Sequence, residues 1–512
     1  MGCMITARNG VGEGGLLLPE PPKLVPRIVA FFDNRYVRAL AWLVVASVFI
    51  SGLVGGYHRG QANQPDWRDF SRESRYVWQH HAIRPGTSMF GYLPAAFMAL
   101  WPFTQWTPPT IGLVAFITAN TLAAVATCFI LYRWWFLGEG NEAAARATCP
   151  LPGGRIESAG DPMRRAFVWP LFLSIAHIQH VLQANQFTLW VLLLCVAGLT
   201  LLRHRHDLVG GLLLGLGVCI KVTPAVFLVY LVLRRQWKAL SAMILAVIVF
   251  DVVPSMVVFG AEGAIREHRR WLQRAGWYSN GRLIEEPSLR IRRHGHNCAY
   301  SLVLARWLRP PPAADHQLIL NGQPPAEVVA ATRAALRHDE YLVLDPMPTP
   351  GAAWSRTRDR VPDLPRFRVA HLSARAVWLI WCITLAGCVG SLAVATHRRR
   401  RAPRASVKWA AEAGLWMLLM LWLTPMMRDY YLALTLPAYV VMWRTALVGD
   451  VTAQGRKLAA GAIAICYLSV LCIGWDTVTF YGLHMITLAV LTAACAWTWN
   501  SARQNEEAAA TA

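Results

Sequence analysis

A lysine inside a long apolar stretch is the first residue in this sequence that could do chemistry. Residues 208–238 are largely apolar, with Lys221 near the middle and basic residues at both ends. A lysine in mid-bilayer costs roughly 2.5–3.5 kcal/mol on insertion scales, so its position indicates a function. The stretch is either one long helix or a hairpin of two short helices. Pro224 and the basic flanks favour the hairpin, with Lys221 at the outer face.

Other unusual polar residues are predicted to emerge on the same outer face. They are Asp66 and Asp69, Asn185 and Gln186, Thr223, His294, His296 and Asn297, and Arg428, Asp429 and Tyr430. The predicted inner ends carry little beyond arginine and lysine. Because a structural scaffold needs no such asymmetry, the segregation of carboxylates, amides and cations predicts an active site at the outer leaflet.

The elements that must position these residues are predicted to be membrane helices. The chain of 512 residues is 55% hydrophobic and 15% charged, and several apolar runs reach the ~20 residues that a membrane helix needs. The net charge of +21 could indicate nucleic acid, but the basic residues form short clusters beside apolar runs, a pattern that membrane topology explains. The sequence therefore predicts an all-α polytopic membrane protein that binds no nucleic acid.

The order of apolar and polar runs predicts the domain organisation. It consists of a cytoplasmic tail at 1–36, a transmembrane domain of about 12 helices at 37–499 with outer loops at 58–87 and 260–375, and a cytoplasmic tail at 500–512. The role of residues 307–370 stays open. The apolar segment 88–103 is short and contains prolines, so it is either a full span or a segment that enters the membrane and returns.

Short motifs in this chain occur in the order found in glycosyltransferase family 87, which the chain therefore resembles. They are Asp69-Phe70, Tyr92-Leu93-Pro94 with Pro102, Asn185-Gln186, the run from Gly211 to Lys221-Val222-Thr223-Pro224, Asn297 with Arg306, and Thr424-Pro425 with Asp429-Tyr430-Tyr431. The match covers roughly residues 60–445. The chain departs from the family at Cys298-Ala299, where Gln-Ser is common, and at Arg428 and Tyr430, which replace an aromatic residue and a histidine.

The resemblance implies a GT-C-like fold with an outer-face active site. Enzymes of this kind place a catalytic carboxylate in the first outer loop, so Asp69 is the implied general base, with Asp66 as the alternative. Lys221 would hold the donor phosphate as it leaves. Other interpretations stay open: Asp69 solvates its loop or caps a helix, and Lys221 snorkels to the headgroups or pairs with Asp251.

The remaining polar residues are predicted to bind substrate. Asn185 and Gln186 could bind sugar hydroxyls, or they could cap the following helix. His294 and His296 lack clustered carboxylates, so they are predicted to bond the acceptor or a phosphate rather than a metal. Tyr92, Thr223, Asn297, Arg428, Asp429 and Tyr430 complete the predicted set.

The predicted function is an inverting transfer of a mannose-like or arabinose-like sugar. The sugar would pass from a polyprenyl-phosphate carrier to an envelope glycolipid or glycan, on the extracytoplasmic side of the plasma membrane. No nucleotide, metal or other cofactor is implied, because the sequence lacks a phosphate-cradling glycine loop and a soluble nucleotide-binding domain. The alternative is a transporter or flippase of lipid-linked sugars, which would use paired discontinuous helices near mid-membrane.

Overall fold

The computed structural model describes most of the chain, and what it describes is almost entirely helical. The described residues are 32, 34–62, 65–84, 92–106, 108–137, 148–150, 156–158, 165–279, 300–308, 370, 372–398, 407–424, 429–447, 453–471 and 483–511. Within these ranges, strand structure is confined to an antiparallel pair, β1 (Thr148–Pro150) and β2 (Ile156–Ser158). The prediction of a helical protein is confirmed.

Seventeen α-helices are described in these ranges. In chain order they are α1 (Arg35–Gln61), α2 (Pro65–His80), α3 (Pro94–Ala99), α4 (Trp101–Thr104), α5 (Pro109–Ile130), α6 (Val168–Gln183), α7 (Thr188–Arg203), α8 (Asp207–Ile220), α9 (Val226–Leu233), α10 (Trp237–Val247), α11 (Val253–Ser279), α12 (Tyr300–Leu308), α13 (Ala374–Arg398), α14 (Val407–Leu423), α15 (Leu436–Leu447), α16 (Ala453–Leu471) and α17 (Leu483–Thr511). A 3-10 turn at Thr223–Ala225 precedes α9, and another at Asp429–Thr435 precedes α15.

Several helices have the length and apolar composition of membrane spans. Four stretches qualify by both criteria among the described residues: Arg35–Gln61, Pro109–Phe136, Trp237–Leu272 and Arg375–His397. Shorter apolar helices lie between them, including α7, α8 and α9. The protein is therefore a membrane protein, and the finer count of about 12 helices stays a prediction.

The segment after α1 differs from its prediction in two ways. Part of the predicted outer loop 58–87 forms the amphipathic helix α2, which buries Trp67, Phe70 and Val77 at helical spacing. The described part of the apolar segment 88–103 forms α3 and α4, of six and four residues. Even end to end these would cover only ~15 Å of a core about 30 Å thick. These lengths favour a segment that enters the membrane and returns, and the choice between the two alternatives stays a prediction.

Glycines set the direction in which the helices pack. Gly52 and Gly56 of α1 face Gln179 and Leu182 of α6, so sequence numbers rise together and the two helices run parallel. A Cβ atom at Gly56 would lie 3.2 Å from the carbonyl carbon of Leu182 and closer still to its oxygen. Only glycine at position 56 therefore allows the two helices to pack this closely, since any side chain there would clash with the Leu182 backbone.

The stretch around Lys221 is a hairpin, as predicted. Gly211 of α8 faces the backbone of Ala239 in α10, and Gly215 faces the carbonyl of Met243. Because α8 and α10 run parallel, the short helix α9 between them must run back. Lys221 lies at the tip of this hairpin, directly after α8.

The ends of several helices share one face as a result. α7 and α8 pack antiparallel, since Gly198 lies beside Leu214 and Gly210 beside Leu202. α1, α6, α8 and α10 thus point one way. The C-terminal ends of α1, α6 and α8 therefore lie on the same face, together with the short helices α2, α3 and α4 that pack between them.

α10 and α11 form one interrupted helical segment that folds back on itself. A π-helical turn at Ile248–Val252 carries the buried Asp251, and Gly260 adopts a φ of 72°. His268 lies 2.9 Å from Asp251, whereas a straight helix would separate the two by ~25 Å. Helix α11 thus continues beyond the reversal to Ser279, so the start of the predicted outer loop 260–375 is helical.

The opposite end of the bundle contains a buried ion pair. Arg234, which follows α9, donates from Nε to Oε1 of Glu412 at 2.9 Å and from Nη2 to Oε2. Both side chains are nearly inaccessible. Arg444 of α15 donates to the carbonyl oxygen of Trp135 at 2.9 Å, in the turn that ends α5. These contacts connect the N-terminal and C-terminal halves of the chain away from Lys221.

Candidate active site

Lys221 lies at the break between α8 and the turn that leads into α9. Its backbone is extended, with φ of −150° and ψ of 127°, and its N–H donates to the carbonyl of Gly217 at 2.9 Å. Pro224 follows in the 3-10 turn and cannot donate a backbone hydrogen bond, which explains why the helix does not continue. The lysine is 2% exposed, so its side chain is enclosed by the protein.

Three tyrosine rings surround the ammonium group of Lys221. Its Nζ lies 3.5 Å from the ring centroid of Tyr431, 5.5 Å from that of Tyr92 and 5.7 Å from that of Tyr430. A cation–π contact contributes about 0.5–2 kcal/mol, more when desolvated, which is the order of the cost of placing the lysine there. Because the ammonium is held inside, the snorkelling alternative does not describe this structure.

Asp251, the other predicted partner of Lys221, has different partners. Its Oδ1 accepts a hydrogen bond from the backbone N–H of Ala95 at 3.1 Å, and its Oδ2 lies 2.9 Å from Nε2 of His268. These contacts join the π-helical turn to α3 and α11. The structure therefore uses the carboxylate to link these helices rather than to neutralise Lys221.

The corner between α6 and α7 brings two predicted amides to the same face. Asn185 has φ of 52°, a left-handed conformation that asparagine tolerates, and its Nδ2 donates to the carbonyl of Gly56 at 3.0 Å. Oε1 of Gln186 accepts from the Tyr92 hydroxyl at 2.5 Å. Since α7 begins after Phe187 without a side-chain cap, the capping alternative for both amides is wrong.

Asp69 lies on α2 beside two arginines. One of its carboxylate oxygens accepts from Nη2 of Arg72 at 2.9 Å and from Nε of Arg68 at 3.4 Å. The arginine side chains are 39% and 42% exposed, and exposed ion pairs contribute only ~0–1 kcal/mol. The carboxylate is therefore held by two arginines whose own side chains reach solvent. Asp69 lies beyond the first turn of α2, so it is not a helix cap.

Phe70 connects the helix of Asp69 to the tyrosines around Lys221. The Phe70 ring is fully buried and meets the rings of Tyr92 and Phe187 edge to face, each at 5.2 Å between centroids. Tyr92 in turn contacts Lys221. The candidate base and the candidate phosphate ligand thus lie on one face of the bundle, joined through a short chain of aromatic contacts.

The other predicted site residues are placed only in part. Oγ1 of Thr223 is buried and has no hydrogen-bond partner among the described residues. Asp66 and Asp429 lie in α2 and in the turn before α15, and their side chains are not described. His294, His296, Asn297 and Arg428 lie outside the described residues, so their roles stay predictions.

Three residues at this face are absent from the predicted site. Tyr431 makes the closest ring contact with Lys221, and its place in the motif Asp429-Tyr430-Tyr431 was its signal in the sequence. Arg68 and Arg72 contact Asp69. The three-residue spacing between Asp69 and Arg72 becomes informative once residues 65–80 are known to be helical.

Comparison with known proteins supports the resemblance. The family model for glycosyltransferase family 87 matches residues 90–337, a range that includes Tyr92, Gln186 and Lys221. The resemblance is therefore confirmed over this part of the chain. Asp69 and Tyr431 lie outside the matched range.

Two curated relatives match shorter parts of the chain. An alpha-(1->3)-arabinofuranosyltransferase of Corynebacterium glutamicum is 26% identical over 169 residues, which is 32% of this chain and 38% of that protein. A polyprenol-phosphate-mannose-dependent alpha-(1-2)-phosphatidylinositol mannoside mannosyltransferase of Mycolicibacterium smegmatis is 30% identical over 154 residues, or 29% of this chain and 31% of that protein. The matched part thus spans well under half of either relative. No solved structure matches the chain.

Proposed function

We propose that this chain is an inverting membrane glycosyltransferase. It moves a mannose-like or arabinose-like sugar from a polyprenyl-phosphate carrier to an envelope glycolipid or glycan. The observation that carries the proposal is the enclosed ammonium of Lys221 at a helix break, within the range that resembles glycosyltransferase family 87. The names of the two relatives, an arabinofuranosyltransferase and a polyprenol-phosphate-mannose-dependent mannosyltransferase, support the sugar class and the carrier.

Lys221 is suited to stabilise a departing phosphate. When the sugar leaves a polyprenyl phosphodiester, the phosphate gains negative charge, and a preorganised cation in a dry site stabilises that charge more than water does. The tyrosine rings of the site keep water away from the Lys221 side chain, and their faces favour a cation. The buried hydroxyl of Thr223 can add a hydrogen bond to a phosphate oxygen.

Asp69 is the proposed general base. Its carboxylate takes the proton of the acceptor hydroxyl while that oxygen bonds to the anomeric carbon, and the bond from this carbon to the phosphate oxygen breaks. A single displacement through an oxocarbenium-like transition state inverts the anomeric centre. Arg72 and Arg68 hold the carboxylate in place until the acceptor arrives, and their exposure lets them move aside.

We place this site on the extracytoplasmic side of the plasma membrane, with both termini in the cytoplasm. The parallel arrangement of α1, α6 and α8 supports a common face for α2, the corner at Gln186 and the hairpin tip at Lys221. The opposite ends of the helices carry basic residues, among them Arg133, Arg203 and Arg234. Short basic segments beside membrane helices favour the cytoplasm.

The proposal is tested by measuring sugar transfer in membranes that contain the protein. Polyprenyl-phosphate mannose and polyprenyl-phosphate arabinofuranose, labelled in the sugar, are supplied in turn, and label in extracted glycolipids and glycans is counted. We expect Asp69→Asn to reduce transfer by about 10²–10⁴-fold with donor binding retained, as loss of a general base does. Lys221→Met should weaken both transfer and donor binding, and Lys221→Arg should keep part of each.

The matched control is Glu262→Gln, which removes an exposed carboxylate outside the contacts of Asp69 and Lys221 and should leave transfer unchanged. Normal transfer by Asp69→Asn would disprove the assignment of the base. If the unaltered protein moves intact lipid-linked sugar across sealed vesicles without transferring it, the transporter alternative is correct instead.

A further inference from the structure

The buried pair of Asp251 and His268 has no part in the transfer step described above. Asp251 is 2% exposed and lies in a π-helical turn, an arrangement that often marks a functional position in a helix. A carboxylate inside a membrane helix is costly unless it is bonded, and both oxygens of Asp251 have partners. Such a residue needs a reason to be where it is.

The contacts of His268 direct one ring nitrogen at Asp251 and the other at its own helix. Nδ1 lies 2.8 Å from the carbonyl oxygen of Ala264, and a carbonyl oxygen can only accept. Nε2 lies 2.9 Å from Oδ2 of Asp251. Nδ1 therefore donates to Ala264, and Nε2 shares a hydrogen bond with the carboxyl group of Asp251. The neighbouring Glu267 pairs with Arg270 at 2.7 Å, so Asp251 is the carboxyl partner of His268.

The other oxygen of Asp251 holds the segment that carries Tyr92. Oδ1 accepts from the N–H of Ala95, in the first turn of α3, where Leu93 supplies no side-chain cap. Ala95 follows Tyr92 by three residues, and Pro94 between them stiffens the connection. The Tyr92 ring lies 5.5 Å from Nζ of Lys221. The hydrogen bond from Ala95 to Asp251, in the turn that follows α10, therefore affects the candidate site through α3.

We propose that Asp251 and His268 are positioning residues that hold Tyr92 against Lys221. His268 orients the carboxyl group of Asp251, this group fixes α3, and α3 sets the position of the Tyr92 ring. Gly260 makes the arrangement possible, because its φ of 72° turns α11 back so that His268 reaches Asp251. The expected effect on donor binding rests on the proposed function. The positioning of Tyr92 against Lys221 does not depend on it.

The test measures the accessibility of the Lys221 amine, which needs no turnover. The purified full-length protein in detergent is treated briefly with the N-hydroxysuccinimide ester of acetic acid, and acetylation of Lys221 is quantified by mass spectrometry. The enclosed amine of the unaltered protein should react slowly. Asp251→Ala should raise the rate about tenfold, since a hydrogen bond to a charged group is lost. His268→Ala should have a smaller effect in the same direction, because the bond to Ala95 remains.

Two further variants separate local from global effects. Glu412→Gln removes a buried carboxylate at the opposite end of the bundle and should leave the labelling of Lys221 unchanged. Gly260→Ala leaves every ionisable group in place but strains the reversal of α11, so it should raise the labelling, and it serves if Asp251→Ala does not fold. Unchanged labelling in Asp251→Ala and Gly260→Ala, or an equal rise in Glu412→Gln, would overturn the proposal.

Sugar transfer by the same variants distinguishes this inference from the proposed function. If the unaltered protein transfers sugar, Asp251→Ala should raise the KM for the donor more than it lowers kcat, because the lysine is displaced but still present. If labelling changes as expected while the unaltered protein transfers no sugar from either carrier, the positioning role stands and the proposed function fails.

Discussion

Replacing Gly211 by alanine should push α8 away from α10 and destabilise the hairpin that carries Lys221. The new Cβ atom would lie 2.8 Å from the carbonyl carbon of Ala239 and 2.9 Å from its Cα, and closer still to the oxygen. These are backbone atoms, so no change of rotamer relieves the contact. Since ordinary C···O contacts are about 3.3–3.6 Å, the helices must separate by ~1 Å.

The size of the effect follows from two opposing contributions. Overpacking of a well-packed contact costs about 1–3 kcal/mol. Against this, alanine inside a helix is more favourable than glycine by up to about 1 kcal/mol, because of its higher helix propensity. We therefore expect Gly211→Ala to destabilise the protein by about 1–2 kcal/mol, and to lower sugar transfer by displacing the lysine that ends α8.

The matched control is Gly387→Ala in α13, where an added Cβ meets nothing within 4 Å. The same chemical change should stabilise the protein there by up to about 1 kcal/mol, because the propensity gain is unopposed. Both variants are heated in the same detergent, and the loss of the monodisperse protein is followed by size-exclusion chromatography. If Gly211→Ala withstands heating as well as Gly387→Ala does, the close packing of α8 on α10 is incorrect.

Two further predictions concern buried polar contacts. Glu412→Ala should destabilise the protein by about 3–5 kcal/mol in the same heating assay, because Arg234 is left buried without its carboxylate. The double variant Arg234→Met with Glu412→Leu should recover most of this loss. Equal stability of the single and double variants would contradict this prediction. Tyr92→Phe leaves Oε1 of Gln186 without its donor and should lower the stability of the protein by about 1–3 kcal/mol. Tyr36→Phe, at an exposed ring, should leave the stability unchanged. Unchanged stability of Tyr92→Phe would argue against the hydrogen bond between Tyr92 and Gln186.

The hairpin at Lys221 shows how far local sequence reasoning reaches. Pro224 ends a helix wherever it occurs, and a lysine among apolar residues requires a partner or a function. These are properties of neighbouring residues, so they could be recognised without coordinates. The structure confirms the break and adds that tyrosines at positions 92, 430 and 431 surround the ammonium, from two segments more than 300 residues apart in the chain.

The segment after α1 shows where that reasoning stops. The polar composition of residues 58–87 suggests a loop, yet Trp67, Phe70 and Val77 give α2 one apolar side that packs on α3 and α5. Helicity there depends on a partner surface for these side chains. The same holds for Asp251: its position in an apolar helix suggests a partner for Lys221, and only the reversal of α11 at Gly260 brings His268 near enough to take that place.

The sequence by itself determined that this is a helical membrane protein, that the helix before Lys221 breaks, and that the chain resembles glycosyltransferase family 87. The evidence was the length of the apolar runs, the position of Pro224 and the order of the motifs. All three can be read from the linear sequence. The tertiary structure alone decided which side chains meet: Tyr431 with Lys221, Arg72 with Asp69, His268 with Asp251. Each of these contacts depends on how helices pack and reverse, and packing is a property of surfaces that the chain brings together only once it is folded.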